Sequence, residues 1–371
     1  MNFDISEDAK AVANTARDFL REHSPMTAIR RVFDEEIQYD AELWKSMAEL
    51  GWLGAGIPEK FGGFELGGEV LCVLAEEIGR VLAPVPFSTS VSLATSAICA
   101  HGSDAQKCDL LPKMAAGEII GTFALAEGVG DPSPARIEAV VENGRLNGNK
   151  YPVADGSVAD FVVIVAHDSA GDIGLYFCDL SASGITSTPI ESVDPSRNTV
   201  SLSFENVEVE PLGDAWQGWQ SVQNILDQAA VILAFEQTGG AQACLEMARD
   251  YAIERYAFGR PIGSFQAVKH KLANVYIATE LARSNAYYGA WALGENSAEL
   301  AQAAATAHLS ACNAFQLAAR ENIQTHGGMG ITWEADCHMY FRRAKSLGLE
   351  IGGSLFWQER LMSQLEQQAT G

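Results

Sequence analysis

A chain of 371 residues is long enough for more than one hydrophobic core, and 47% hydrophobic with 20% charged residues is the balance of a globular protein. With 25 basic against 48 acidic residues the formal charge is −23, a field that repels nucleic acid and anionic lipid, so neither is expected as a partner. No run of about 18 uncharged apolar residues occurs and the opening MNFDISEDAK is acidic and polar, which predicts no membrane span, no secretory leader and a cytoplasmic protein.

From residue 5 to about 118 the apolar spacing is helical: AKAVANTARDFLREH, AELWKSMAELGWLG and GEVLCVLAEEIGRVL repeat apolar residues three and four apart. Near residue 119 the texture changes. IIGTFALA is a continuous β-type run, Asn143-Gly144 stands between two alternating segments as a hairpin turn, and ADFVVIVAHD, IGLYFCDL and NTVSLSFENVEV read as further strands. After EPLGD long helices return: residues 216–256 hold no Pro, FQAVKHKLANVYIATELARSNAYYGAWAL is periodic throughout, and AELAQAAATAHLSACNAFQLAARENIQTHGG ends on a Gly-Gly stop. The expected fold is α+β in three parts: an N-terminal helical domain over 1–118, a middle β-barrel or sandwich domain over 119–212, and a C-terminal four-helix bundle over 213–371.

The seven cysteines (Cys72, Cys99, Cys108, Cys178, Cys244, Cys312, Cys337) are scattered and form no C-x-x-C pair, so they are read as reduced thiols. His326 and His338 stand twelve apart without an H-E-x-x-H pattern, and no metal is expected. In so acidic a chain an anionic ligand has to be held by concentrated groups. The two concentrations are ERYAFGR (254–260) and RRAK (342–345).

Four stretches, in order and spacing, resemble the acyl-CoA dehydrogenase family over nearly the whole chain. They are GWLGAGIPEKFGG (51–63), LPKMAAGEIIGTFALAE (111–127), YAIERYAFGRPIGSFQAVKHKLA (251–273) and IQTHGGMGITWE (323–334). The resemblance implies α,β-dehydrogenation of an acyl-CoA thioester, with FAD as cofactor and an electron-transfer flavoprotein or similar acceptor. It also implies a homo- or hetero-oligomer in which one subunit holds the flavin ring and its mate holds the diphosphate and adenosine.

The adenosine half is written in this chain. Arg255 and Arg260 flank YAFG, where guanidinium forks can reach phosphate oxygens and Gly259 lets the backbone approach. Gln266 opens the next helix, whose N-terminus favours an anion. Gln324 with Gly327, Gly328 and Gly330 offers an amide and a bare surface to a flat ligand. By the resemblance Phe258 joins this set. The alternative is that the arginines make salt bridges and the glycines only end helices.

The flavin-ring half departs from the family. Where relatives read Thr-Glu-Pro-x-x-Gly-Ser-Asp this chain has AEGVGDPSP, placing Ala126 and Gly128 at the threonine and proline positions; where they read Lys-x-Trp-Ile-Thr-Asn-Gly it has KYPVADG, placing Pro152 and Ala154 at the tryptophan and hydroxyl positions. Alanine cannot donate a hydrogen bond and proline lacks even the backbone N–H. This chain's own ring pocket is therefore expected to be weak.

The catalytic base is the other departure. Aligning FRRAKSLGLEIGGS puts Ile351 in the family's glutamate slot, with Glu350 one residue early, a candidate base or a partly solvated carboxylate. The alternative base position on the first C-terminal helix is Ala229, followed by Ala230. Glu236 follows AAVILAF on a stripe with Ile225, Ala229 and Ile232, so it faces apolar surroundings either as a base of raised pKa or as a carboxylate paired with an arginine or backbone group. His326 is expected to fix the Gly-Gly turn or touch the ligand. Tyr287, Tyr288 and Trp291 read as core or interface, and Lys269, His270 and Lys271 as a solvated step beside the phosphate turn. Two functions follow: an acyl-CoA dehydrogenase or a subunit of one, or a catalytically silent structural subunit that lends its adenosine half to a partner's flavin. KYPVADGSVADFVVIVA leans toward family members acting on bulky, steroid-like thioesters.

Overall fold

The computed structural model describes residues 5–213 and 218–370. Helices α1 (Glu7–His23), α2 (Met26–Phe33), α3 (Ala41–Glu49), α4 (Gly67–Val81), α5 (Ser96–His101) and α6 (Asp104–Ala115) form the first third. Their starts carry side-chain caps where the sequence supplies them. Ser6 caps α1, Asp40 caps α3, and Ser103 with Gln106 makes a capping box on α6. A π-helical segment, Ser88–Thr95, runs directly into α5 and is wholly buried.

The strands are β1 (Gly121–Ala124), β2 (Val140–Glu142), β3 (Arg145–Ala154), β4 (Phe161–His167), β5 (Ile173–Asp179), β6 (Ile185–Pro189), β7 (Thr199–Glu208) and β8 (Glu210–Pro211). They form one sheet in the order β6-β7-β3-β2-β4-β5-β8, with β1 parallel to β4. Asn143 and Gly144, both at positive φ, turn β2 into β3 as the Asn-Gly pair predicts. Strand β4 is apolar on both faces because each meets a different core. Phe161, Val163 and Val165 pack into the main core shared with the helices, whereas Val162, Ile164 and Ala166 pack into a second core within the sheet.

The long helices are α7 (Trp219–Glu254), α8 (Gln266–Gly294) and α9 (Leu300–His326), followed by α10 (Cys337–Leu347) and α11 (Ser354–Thr370). The helix expected over 216–256 is α7, with 216 and 217 lying outside the described residues. Helices α4 and α7 cross backbone to backbone: a Cβ on Gly79 would stand 1.9 Å from the Glu236 carbonyl oxygen, and one on Gly239 the same distance from that of Glu76. This crossing ties the N-terminal helices to the C-terminal bundle and sets the depth at which Glu236 lies. No described helix is long and apolar enough to cross a membrane.

Candidate active site

The ERYAFGRP stretch folds as a two-residue hairpin. Strands β9 (Tyr256–Ala257) and β10 (Arg260–Pro261) pair antiparallel, and Phe258 and Gly259 turn between them at φ 53° and 76°. Only Gly259 adopts such a φ without cost, and a Cβ there would meet nothing within 4 Å. Arg255 and Arg260 are exposed, and among the described residues neither forms an ion pair within the chain. The Arg260 guanidinium lies 4.1 Å from the centre of the Phe265 ring, and Phe258 is 96% exposed. Gln266 is the first residue of α8, whose N-terminus has no side-chain cap. Gln324 is exposed in the last turn of α9, and Gly327 (φ 64°) and Gly328 follow with open space where a Cβ would be. Gly330 differs: it is buried, with Ile323 and His326 against it. His326 stacks on Tyr251 at 4.1 Å and its Nδ1 contacts the Asn322 carbonyl, a structural role. Lys271 pairs with Glu321 at 3.1 Å, while Lys269 and His270 are exposed. Tyr287 stacks on Phe235, and Tyr288 on Trp291.

The stretch that the resemblance aligns with the ring bonds to itself. Backbone bonds join Tyr151 N to the Ala126 carbonyl and Gly128 N to the Tyr151 carbonyl, both 2.9 Å, zipping AEG onto KYP. Glu127 is the counter-ion of the buried Lys150, whose pKa burial lowers to about 8 although Glu127 opposes it. The cleft bounded by Ala126, Gly128, Asp131 and Pro132 is small, about 30 Å³. The loop after α10 presses on it: Gly353 N donates to Asp131 Oδ1 at 2.8 Å, and a Cβ on Gly352 would stand 3.1 Å from Pro132.

Behind this stretch two arginines and four carboxylates meet in the interior. Arg197 grips Asp155 with Nε at 3.1 Å and Nη2 at 2.6 Å, and its Nη2 lies 3.4 Å from Glu350. Arg343 donates from Nε to Asp194 at 2.6 Å and from Nη2 to Ser196 at 2.8 Å, and its Nη1 lies 3.5 Å from Glu236. Thr89 donates to Asp155 at 2.7 Å, Ser88 to Glu350 at 3.2 Å, and Ser196 to Asp194. Burial pushes Glu236 up to about 7 against the pull of Arg197 and Arg343, and burial raises Glu350 against Arg197.

The two candidate bases are thus brought into one cluster but are held by arginines. Glu350 is not a partly solvated carboxylate: its side chain is 8% exposed, because the chain turns inward at Ile351 and Gly352. RRAK is not one anion-holding patch either. Neighbouring helical residues diverge by about 100°. Arg342 donates outward to the Val193 carbonyl, Arg343 turns into the core, and Lys345 reaches Gln316. Sequence reasoning missed Asp155, Asp194, Ser196 and Arg197, although the quartet DPSR between strand patterns was an unusual set of charges for a loop with a buried neighbour.

Residues 6–118 match the family described as acyl-CoA dehydrogenase, N-terminal domain, and residues 216–354 match acyl-CoA dehydrogenase, C-terminal domain. The chain is 33% identical over 341 residues to the acyl-CoA dehydrogenase IpdE2 of Mycobacterium tuberculosis, covering 91% of each. Among solved structures it is similar to the Tcur3481-Tcur3483 steroid ACAD (TM-score 0.89, 32% identity, 98% of this chain and 99% of that one). It is also similar to a chain of the ChsE4-ChsE5 complex of M. tuberculosis (TM-score 0.89, 26% identity, 99% of each).

Proposed function

The chain belongs to the acyl-CoA dehydrogenase family, and from that premise we propose that it is one subunit of a heteromeric, FAD-dependent acyl-CoA dehydrogenase, contributing the adenosine and diphosphate half of a flavin site whose ring half lies on a partner chain. The observation that carries this reading is the contrast between the two halves. Among the described residues Arg255 and Arg260 are exposed without ion-pair partners beside the open glycines Gly259, Gly327 and Gly328, whereas the stretch that the resemblance aligns with the ring bonds to itself and carries Ala126 and Ala154 where hydroxyls are expected. The residues of the first half fit a dinucleotide. Arg255 and Arg260 are placed to take diphosphate oxygens, Gln324 to give an amide, and Gly327 and Gly328 to let a flat ring lie against backbone. By the resemblance the second half lacks two partners for a flavin ring, since Ala126 and Ala154 offer no hydroxyl.

When bound, the flavin supplies the hydride acceptor of the dehydrogenation. This chain's own contribution is to bind and orient. Neither candidate carboxylate is read as the base, because Glu350 and Glu236 are buried with the guanidiniums of Arg197 and Arg343 at 3.4 and 3.5 Å. Abstraction of the α-proton from the thioester therefore falls to the partner chain. Likeness to a steroid ACAD supports a bulky polycyclic acyl group, and likeness to a two-protein complex supports a mixed oligomer.

The test is flavin per polypeptide, by absorbance after denaturation, for the chain purified alone and after co-expression with its genomic neighbours. Near-zero flavin alone, rising to one per pair with a partner, is expected. In that assembly Arg255→Ala should weaken flavin binding about tenfold or more, the loss of a charge-assisted contact to phosphate. One flavin per chain in the lone protein would instead establish a self-sufficient enzyme.

A further inference from the structure

We infer that the buried Arg197–Arg343 network is a permanent tie between the three parts of the chain, anchored next to the stretch that the resemblance aligns with the flavin ring, so that this chain folds as one body without cofactor. The inference rests on reading residues 126–156 as the ring-facing stretch, and it adds to the loss of hydrogen-bond donors a reason why restoring them will not restore a site.

The network joins every part of the fold. Ser88 and Thr89 come from the π-helical segment of the N-terminal part. Asp155 follows β3, and Asp194, Ser196 and Arg197 lie in the loop before β7. Glu236 comes from the middle of α7, Arg343 from α10, and Glu350 from the loop beyond it. Arg197 links the sheet to that loop through Asp155 and Glu350, and Arg343 links α10 and α7 to the sheet through Asp194 and Glu236. Asp155 is the residue after Ala154, the position at which the family places a ring-facing hydroxyl, so the tie begins one residue from the ring slot.

Ions out of water persist only when geometry and hydrogen bonding are good. Here both guanidiniums are at most 5% exposed, each has a carboxylate oxygen at 2.6 Å, and Ser88, Thr89 and Ser196 donate into the acceptors that remain. Removing one partner leaves an uncompensated charge inside, so the arrangement holds as a unit. The neighbouring clasp of Gly353 on Asp131 fastens the same loop to the segment between β1 and β2.

The experiment uses the full chain purified alone, with two probes and two kinds of variant. Riboflavin carries the ring without the adenosine half, and ADP carries the adenosine half without the ring. Wild type should unfold in one calorimetric transition, unshifted by riboflavin, and should not quench riboflavin fluorescence. Ala126→Thr combined with Ala154→Thr should leave both results unchanged, because the tie stays in place. Arg197→Met should lower the transition by about 5 °C or more and split it into separate sheet and helix steps. Should that variant fail to fold, Asp155→Asn keeps the shape while weakening the pair, and should show the same split with a smaller shift.

Riboflavin binding by wild type, or by the double threonine variant, would overturn the inference. So would a single unshifted transition in both Arg197→Met and Asp155→Asn. ADP reports separately on the Arg255 turn, so failure of the adenosine reading and failure of the tie are distinguishable.

Discussion

Glu236 shares its helix face with Ile225, Ala229 and Ile232, all buried, so its carboxyl has left water and keeps a proton that a solvated glutamate gives up. Its pKa rises from 4.5 to about 7. The groups around it are Arg343 at 3.5 Å, Arg197, Glu350 and Asp155, with Asp194 on the far side of Arg343. The sign follows from proton uptake: between pH 4.5 and about 7 the folded chain binds more protons than the unfolded one, so this contribution to stability is full below pH 4.5 and is lost as pH rises through 7. Glu350, raised in the same direction, adds to it. Urea midpoints at pH 5 and pH 8 should show wild type losing on the order of 1–3 kcal/mol relative to Glu236→Gln, which mimics the protonated form throughout. Parallel profiles for the two proteins would mean that Glu236 is ionised in the fold. The stripe that buries Glu236 was legible from a spacing of four, three and four residues. Its partner Arg343 was not, because no local pattern tells that the second of two adjacent arginines turns inward.

At the scale of elements, patterns that depend on neighbours in sequence were readable, and those that depend on neighbours in space were not. The Asn143-Gly144 hairpin and the long periodic helices follow from local rules. The π-helical run STSVSLAT does not: its serines and β-branched residues favour no helix on their own, and its burial against β1 and α7 decides the matter. Nor was the α4–α7 crossing visible, although both of its glycines stand inside helical patterns where glycine costs about 1 kcal/mol and so needs a reason. Close approach is that reason. Gly239→Ala puts a methyl 1.9 Å from the Glu76 carbonyl oxygen, a backbone atom that cannot step aside. The helices must part, and a loss of about 2–3 kcal/mol is expected by chemical denaturation. Gly294→Ala, where a Cβ meets nothing within 4 Å, is the control and should be neutral or slightly stabilising. A Gly239→Ala protein as stable as wild type would show that the two helices are not in backbone contact.

For the whole molecule the exposed apolar residues decide whether the chain works alone. Tyr276, Ile277 and Leu281 on α8 are each more than half exposed, as are Tyr256 and Phe258 on the arginine hairpin and Met329 and Ile331 beyond the Gly-Gly turn. All lie on or directly beside the elements that carry Arg255, Gln266 and Gln324, so an exposed apolar surface adjoins the proposed dinucleotide half. A subunit that only stored its own cofactor would have no use for such a surface, whereas one that shares a cofactor must seal it against a partner. The family stretches pointed to the half-site from sequence alone, but this adjacency appears only when helices separated in sequence are seen together. Replacing Ile277 and Leu281 with aspartate places two charges where burial is expected, without touching any residue assigned to the ligand. Scattering and flavin absorbance measured together on the co-expressed assembly should show smaller particles and flavin loss in the same samples. A variant that stays assembled and flavin-loaded would move the shared surface elsewhere, while one that dissociates yet keeps full flavin on the partner would show that the partner needs no second half.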